Sequence, residues 1–171
     1  MLFRSLALLQ VRKENYTTAS VTFYLDQSIP TIGTRLLHVG SLLGQMGANS
    51  MTTGIQSQIG RILDGREFDQ TTVAAFPGSS GGGVYLDNGA MVAMVVRGAG
   101  ESFNLVVPVR RIIRWAKRAN IMWAVDDDVA SPSEADLEKL PIEDVGIRVT
   151  ASAGPTVAPP APKPVMRNLI K

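Results

Sequence analysis

The sequence predicts an all-β barrel followed by one amphipathic helix and an extended tail. Three observations carry this. Short strand-like apolar runs recur between residues 6 and 109, most of them punctuated by glycine, proline, asparagine or aspartate. From Val109 to Ala119 the apolar period changes from two to that of a helix. From Ala151 to Pro164 the chain is Ala, Pro, Ser, Thr, Gly and Val with a single lysine, a composition without the means to build a core.

The elements follow in order. Leu6–Val11 reads as a buried strand and Ser20–Leu25 as a second, with Asp26–Pro30 a turn. Arg35–Val39 is a strand ended by Gly40, and Gly44–Ser50 is a loop. Met51–Leu63 alternates polar and apolar residues, with bulges expected at Gly54 and Gly60. Asp64-Gly65 is a hairpin signal. Glu67–Ala75 is a strand leading into Phe76-Pro77-Gly78-Ser79-Ser80-Gly81-Gly82-Gly83. Gly83–Leu86 and Ala90–Val96 form a hairpin through Asp87-Asn88-Gly89, and Asn104–Val109 is the last strand. In the helix, Ile112, Ile113 and Ala116 form the apolar stripe, and Arg110, Arg111, Arg114, Lys117 and Arg118 read as its solvated face. Trp115 and Trp123 are expected to pack between helix and barrel. Asp126–Asp128 reads as a solvated acidic turn rather than a cation site. Ser131 as N-cap, Pro132 at the first helical position and Glu134 completing a capping box predict a short helix to Leu140, stopped by Pro141.

Composition narrows the function. With 171 residues the chain is long enough for one domain with a core, and 45% hydrophobic against 19% charged residues is ordinary globular usage. A net charge of +2 supplies no field for nucleic acid. No cysteine is present, so disulfides and thiolate metal sites are excluded, and a single histidine, His38, argues against an imidazole metal site. No cofactor and no metal are expected. No apolar run reaches membrane-spanning length, and Met1–Val11 lacks the pattern of a signal peptide. The compartment is left unassigned, cytoplasmic or virion-associated.

The glycines around Ser80 permit a tight reversal that presents its hydroxyl and points the amides of Gly78 and Ser80 at one spot. Gly81-Gly82-Gly83 is no phosphate loop, because no Gly-Lys-Ser/Thr follows. The ordered motifs Ser5-Leu6-Ala7-Leu8-Leu9-Gln10-Val11, Leu37-His38-Val39-Gly40-Ser41-Leu42-Leu43-Gly44, Met51-Thr52-Thr53-Gly54-Ile55, Phe68-Asp69-Gln70-Thr71-Thr72 and Asn104-Leu105-Val106-Val107-Pro108-Val109, with the Gly78–Gly82 turn, resemble, over residues 5 to 120, the C-terminal barrel of trypsin-like serine proteases. The bacterial high-temperature-requirement type is the nearest in pattern. The resemblance implies an antiparallel six-stranded Greek-key barrel, the second domain of the chymotrypsin fold. It implies Ser80 as nucleophile, Gly78, Ser79 and Ser80 as the oxyanion-hole turn, and Ala74, Gly98 and Asn104 as walls of a substrate pocket for a small or apolar side chain. Asn104 stands where that family carries a glycine.

Two departures matter. Ser5 occupies the place of the triad aspartate, and the family's histidine lies in a first barrel upstream of that strand. His38 falls at an ordinary strand position and reads as a structural or surface residue. None of Lys13, Lys117, Lys139, Lys163 and Lys171 lies in a barrel motif near Ser80. The domain reading is therefore residues 1–30 as remnant strand and interdomain linker, 31–124 as barrel with terminal helix, and 125–171 as acidic turn, short helix and tail. The functional reading is a serine endopeptidase homologue inactive alone, against a pseudo-protease serving as a protein-binding or assembly module, as in a viral particle. Partners expected are a peptide or protein, and a second copy or another chain covering the exposed face of the barrel.

Overall fold

The computed structural model describes residues 6–9, 11, 16–17, 19–26, 28–43, 46–98 and 102–140. Six strands are named: β1 (Arg35–Leu42), β2 (Gly47–Leu63), β3 (Arg66–Thr71), β4 (Gly83–Tyr85), β5 (Met91–Gly98) and β6 (Asn104–Pro108). Helix α1 (Val109–Ala119) follows β6 without a break. Every neighbouring pair of strands is antiparallel, and the order β1-β2-β3-β6-β5-β4 closes on itself. Closure comes from β1, which pairs with both β2 and β4: Leu37 stands opposite Thr53 on one side and Tyr85 on the other. The barrel with a C-terminal helix expected from the sequence is thus present.

The turns obey their chemistry. Asp64 and Gly65 both take positive φ, 50° and 69°, which a two-residue hairpin between right-twisted strands requires. The other hairpin closes through Leu86 N–H to the Ala90 carbonyl at 2.9 Å. Gly60 sits at a register shift of β2 with φ 71°, as expected of a bulge. Gly54 has a different role. A Cβ there would lie 2.3 Å from the Val73 nitrogen, so glycine is needed because the chain after β3 crosses directly over it.

Other expectations shift. Leu6–Leu9 forms no strand, and Leu9 is 70% exposed; among the described residues no neighbouring strand offers it a ladder. Ser20–Leu25 makes only a bridge, parallel, between Phe23 and Met91, with Tyr24 N–H on the Met91 carbonyl and Met91 N–H on that of Thr22. β1 continues past Gly40 to Leu42 through an irregularity, and β2 starts at Gly47, inside the expected loop. β3 stops at Thr71: Thr72 still bonds to Ile55, but the carbonyls of Val73 and Ala74 are taken by the side chains of Asn104 and Thr52 instead of a ladder. Helix α2 is Glu134–Leu137, starting three residues after the expected cap at Ser131, and its turns carry on to Leu140. Pro141 and the tail lie outside the described residues. Compact packing divides the chain between Glu134 and Ala135.

Two apolar clusters fill the first unit. Leu36, Val73, Val84, Val92, Ala93, Val95 and Val106 occupy the barrel interior. Val107, Ile112, Ala116, Ile121 and Val125 join α1 to the outside of the barrel, with Trp115 and Trp123 packed against them as anticipated. The basic face of α1 is not simply solvated. Arg110 donates to Glu67 Oε1 from Nε at 2.7 Å and to both oxygens of Asp69 at 2.7 and 2.6 Å. Asp69, nearly fully buried, also accepts Gln56 Nε2 and the Gly60 amide, each at 2.9 Å. Arg114 reaches Glu67 Oε2, and Arg111 stacks over the Phe68 ring at 4.8 Å. The pattern of α1 did not reveal this, because the two acids lie more than 40 residues away in β3.

Arg110→Ala is expected to destabilise the fold by about 3–5 kcal/mol, since it leaves a buried carboxylate without its countercharge; urea unfolding at neutral pH measures it. Glu67 gives the pH dependence. Burial disfavours its charged form, but hydrogen bonds from Arg114 and Arg110 outweigh this and hold the carboxyl below its usual 4.5. Its contribution is complete above the unfolded value and is lost as pH falls through the lower folded value. Glu67→Gln is therefore expected to unfold with a shallower acid dependence than the parent, read from urea midpoints between about pH 7 and pH 3.

Candidate active site

The segment that carries Ser80 is built from its backbone bonds outward. Thr72 N–H donates to the Ile55 carbonyl at 3.0 Å, and Ile55 N–H returns a bond to Thr72 Oγ1 at 2.9 Å. Thr52 Oγ1 holds the Ala74 carbonyl at 3.0 Å, and Asn104 Nδ2 holds that of Val73 at 2.7 Å. The chain then reverses. Ser79 N–H donates to the Phe76 carbonyl at 2.9 Å while Phe76 N–H donates to Ser79 Oγ at 3.2 Å, a reciprocal clasp around Pro77-Gly78. Leu43 N–H secures the Pro77 carbonyl, and Gly81 N–H secures that of Val95 at 2.7 Å. Gly78 and Gly81 take φ of 99° and 90°, values that a side chain rarely adopts.

These bonds sort the turn into spent and unspent donors. Ser79 is buried, and both its amide and its hydroxyl are engaged in the clasp. Of the three residues assigned to an oxyanion hole, only Gly78 and Ser80 have amides that donate to no carbonyl among the described residues. Ser80 itself is exposed. Beside it opens a cavity of about 760 Å³ lined by Thr72, Ala74, Ala75, Val96, Gly98 and Asn104, together with Phe76, Pro77, Arg97 and Ser102. The three residues expected to wall a substrate pocket, Ala74, Gly98 and Asn104, are thus brought together with Ser80.

His38 sits behind the turn. It is fully buried, and Nδ1 lies 2.9 Å from the Gly83 carbonyl oxygen, so Nδ1 carries the proton and donates. Its ring fills the space that Gly40 and Gly82 leave open: a Cβ on Gly40 would lie 2.8 Å from Nε2, and one on Gly82 2.6 Å from Cε1. Nε2 is buried without a partner among the described residues. No hydrogen bond joins His38 to Ser80, so the imidazole props the turn rather than activating the hydroxyl. The structural role foreseen for it is what the contacts show, and the glycines at 40 and 82 were the sequence signal for its place. No lysine lines the cavity. Lys139 pairs with Asp136, Lys117 lies in the last turn of α1, and Lys13, Lys163 and Lys171 lie outside the described residues. Among the described residues no helix is long and apolar enough to cross a membrane, and no three metal-ligating side chains cluster.

Comparisons with known proteins agree with this fold. Residues 3–94 match the trypsin-like peptidase domain. No curated protein sequence matches the chain. Among solved structures, the HtrA-type protease AlgW with a decapeptide superposes with TM-score 0.52 at 21% identity, over 62% of this chain and 34% of that one. The serine endoprotease from Yersinia pestis gives 0.50 at 22% identity, over 60% of this chain and 35% of that one. AlgW with a tripeptide gives 0.50 at 22%, over 62% and 37%. At these identities the likeness is one of fold. The chain spans about a third of the length of the structures it matches.

The imidazole–glycine packing has a measurable signature. Gly40→Ala is expected to cost roughly 1–3 kcal/mol by overpacking against His38. In the double variant with His38→Ala the two costs are expected to sum to less than their separate values, because the second change removes the atoms the new methyl meets. Thermal or urea unfolding of the four proteins closes the cycle.

Proposed function

The chain belongs to the family of trypsin-like peptidase domains, and we propose that it carries the nucleophile half of a serine endopeptidase site. The observation that supports this is an exposed Ser80 lining a cavity, in a turn where the amides of Gly78 and Ser80 donate to no carbonyl among the described residues. In acyl transfer, Ser80 Oγ attacks the peptide carbonyl and the amides receive the oxygen as it becomes negative. Both donors are fixed by bonds elsewhere in the turn, so they need no reorganisation as charge develops. The side chain before the scissile bond enters the cavity beside Ala74, Gly98 and Asn104.

What this sequence does not supply is a base. A serine hydroxyl at neutral pH needs one within hydrogen-bond reach, oriented by a third group. His38 is committed to the Gly83 carbonyl, and by the sequence resemblance Ser5 stands at the place of the family's aspartate. Hydrolysis through Ser80 therefore rests on a histidine and a carboxylate from outside these residues, by a partner chain or a further barrel. The exposed apolar side chains Val39, Leu43, Met46, Met51 and Phe76 support such a covering partner or a second copy. Without the base, the same turn and cavity serve as a peptide-binding site, the pseudo-protease reading, which the committed imidazole favours. Neighbours of the same fold include a protease bound to a decapeptide, which supports a peptide as partner in either case.

Labelling of the purified chain with a fluorophosphonate probe separates the two, with Ser80→Ala as control. Labelling of the parent and not of the variant is the outcome for an activated serine. A folded chain that resists the probe, alone and with its partner present, refutes hydrolysis and leaves the binding module.

A further inference from the structure

The cavity beside Ser80 is lined by side chains that can donate hydrogen bonds and by no carboxylate. Arg97 is the one charged residue among those lining it. Arg97 is exposed, and no ion pair or hydrogen bond among the described residues engages its guanidinium. Thr72 Oγ1 accepts the Ile55 N–H at 2.9 Å, which leaves its own proton without an acceptor among the described residues. Ser80 and Ser102 line the same cavity, are exposed, and have hydroxyls with no partner among those residues. Asn104 takes no part, since its nitrogen is held by the Val73 carbonyl and its oxygen is buried. The remaining wall is apolar, with Ala75 and Val96 in it.

Resting on the peptidase reading above, we propose that this cavity selects peptides with an acidic side chain, glutamate or aspartate, before the scissile bond. The sequence alone suggested a small or apolar occupant, and the side chains gathered here favour another. A carboxylate only accepts, so every donor it meets is used. A carboxamide brings two N–H groups of its own, for which no carboxylate lines the cavity. An apolar side chain covers the hydroxyls and gives them no partner. A lysine is repelled by Arg97 with no countercharge in the lining. An exposed ion pair alone contributes little, so the selectivity needs the guanidinium and the hydroxyls acting on one carboxylate. Arg97 is in this account a specificity residue, acting on the substrate side chain and not on the reacting carbonyl.

Binding rather than cleavage tests this, so no base is needed. Peptides Ala-Ala-Ala-X-Ala-Ala, acetylated and amidated so that X carries the only charge, are titrated against the ¹⁵N-labelled full chain, with X as Glu, Gln, Asp, Asn, Leu or Lys. The Glu peptide is expected to bind roughly tenfold tighter than the Gln peptide, its near-isostere, and the Asp peptide tighter than the Asn peptide. The Lys peptide is expected to bind weakest, and the preference to shrink as salt rises from about 0.05 M to about 0.5 M. Arg97→Gln breaks no contact among the described residues and is expected to abolish the preference, while Arg97→Lys keeps part of it. Glu101, next to Ser102 in sequence, lies outside the described residues; a preference that appears only in Glu101→Gln, with none in the parent, overturns the inference. Peptides that shift the Gly78 and Ser80 amides with equal affinity for Glu and Gln, or a preference that survives Arg97→Gln, also overturn it and leave the peptidase reading standing. Peptides that shift neither amide overturn both.

Discussion

The carboxylate of Asp69 is the interaction on which the remaining architecture depends. A nearly buried charge is tolerated only when paired and fully hydrogen-bonded, and here four donors meet it. They come from three places: Gln56 and Gly60 on β2, and two guanidinium nitrogens of Arg110 on α1. One side chain on β3 thereby fixes the bulge in β2 and the docking of the helix. The consequence reaches the site through β2. Gln56 is followed along the strand, two residues earlier, by Gly54, over which the chain from β3 to the Ser80 turn must cross. The residues that present Ser80 thus hang from a strand whose shape an ion pair from β3 maintains.

Close backbone approach is the second constraint. Gly54 admits Val73, and Gly40 and Gly82 admit the His38 ring. In each case a methyl group would occupy space already filled by backbone or by a buried ring. The turn is consequently set by packing from behind and by the Ser79–Phe76 clasp from within. Its front face, with Ser80 and the two amides, takes no part in that support.

The barrel was legible in the sequence because its signals are local. Alternation marked β2, apolar runs marked β5 and β6, and Asp64-Gly65 and Asp87-Asn88-Gly89 marked the hairpins, since turn geometry is decided by a few adjacent residues. The pocket residues Ala74, Gly98 and Asn104 were found through resemblance, not periodicity, since they lie on three separate segments. What escaped was long-range. Leu6–Leu9 has the composition of a strand, but composition does not provide a ladder partner. The arginines of α1 have the spacing of a solvated face, and nothing nearby announces Glu67 and Asp69 as their acceptors. Ser79 was grouped with its neighbours as an amide donor, and only the fold shows its amide spent on Phe76.

This separation of support from presentation bears on what counts as a sign of chemistry. The glycines, the clasp and His38 are all explained by the need to fold the turn, so their presence says nothing of catalysis. A second set of groups has no folding explanation. The Gly78 and Ser80 amides and the Asn104 oxygen satisfy nothing among the described residues, and an unpaired buried acceptor is a cost to stability. Ser80 and Asn104 line one cavity, and Gly78 lies two residues before Ser80 in the same turn. Groups that weaken a fold and converge on an open space are what a ligand site requires, because their partners arrive with the ligand. The case for a peptide site therefore rests on the polar atoms that the protein leaves unused.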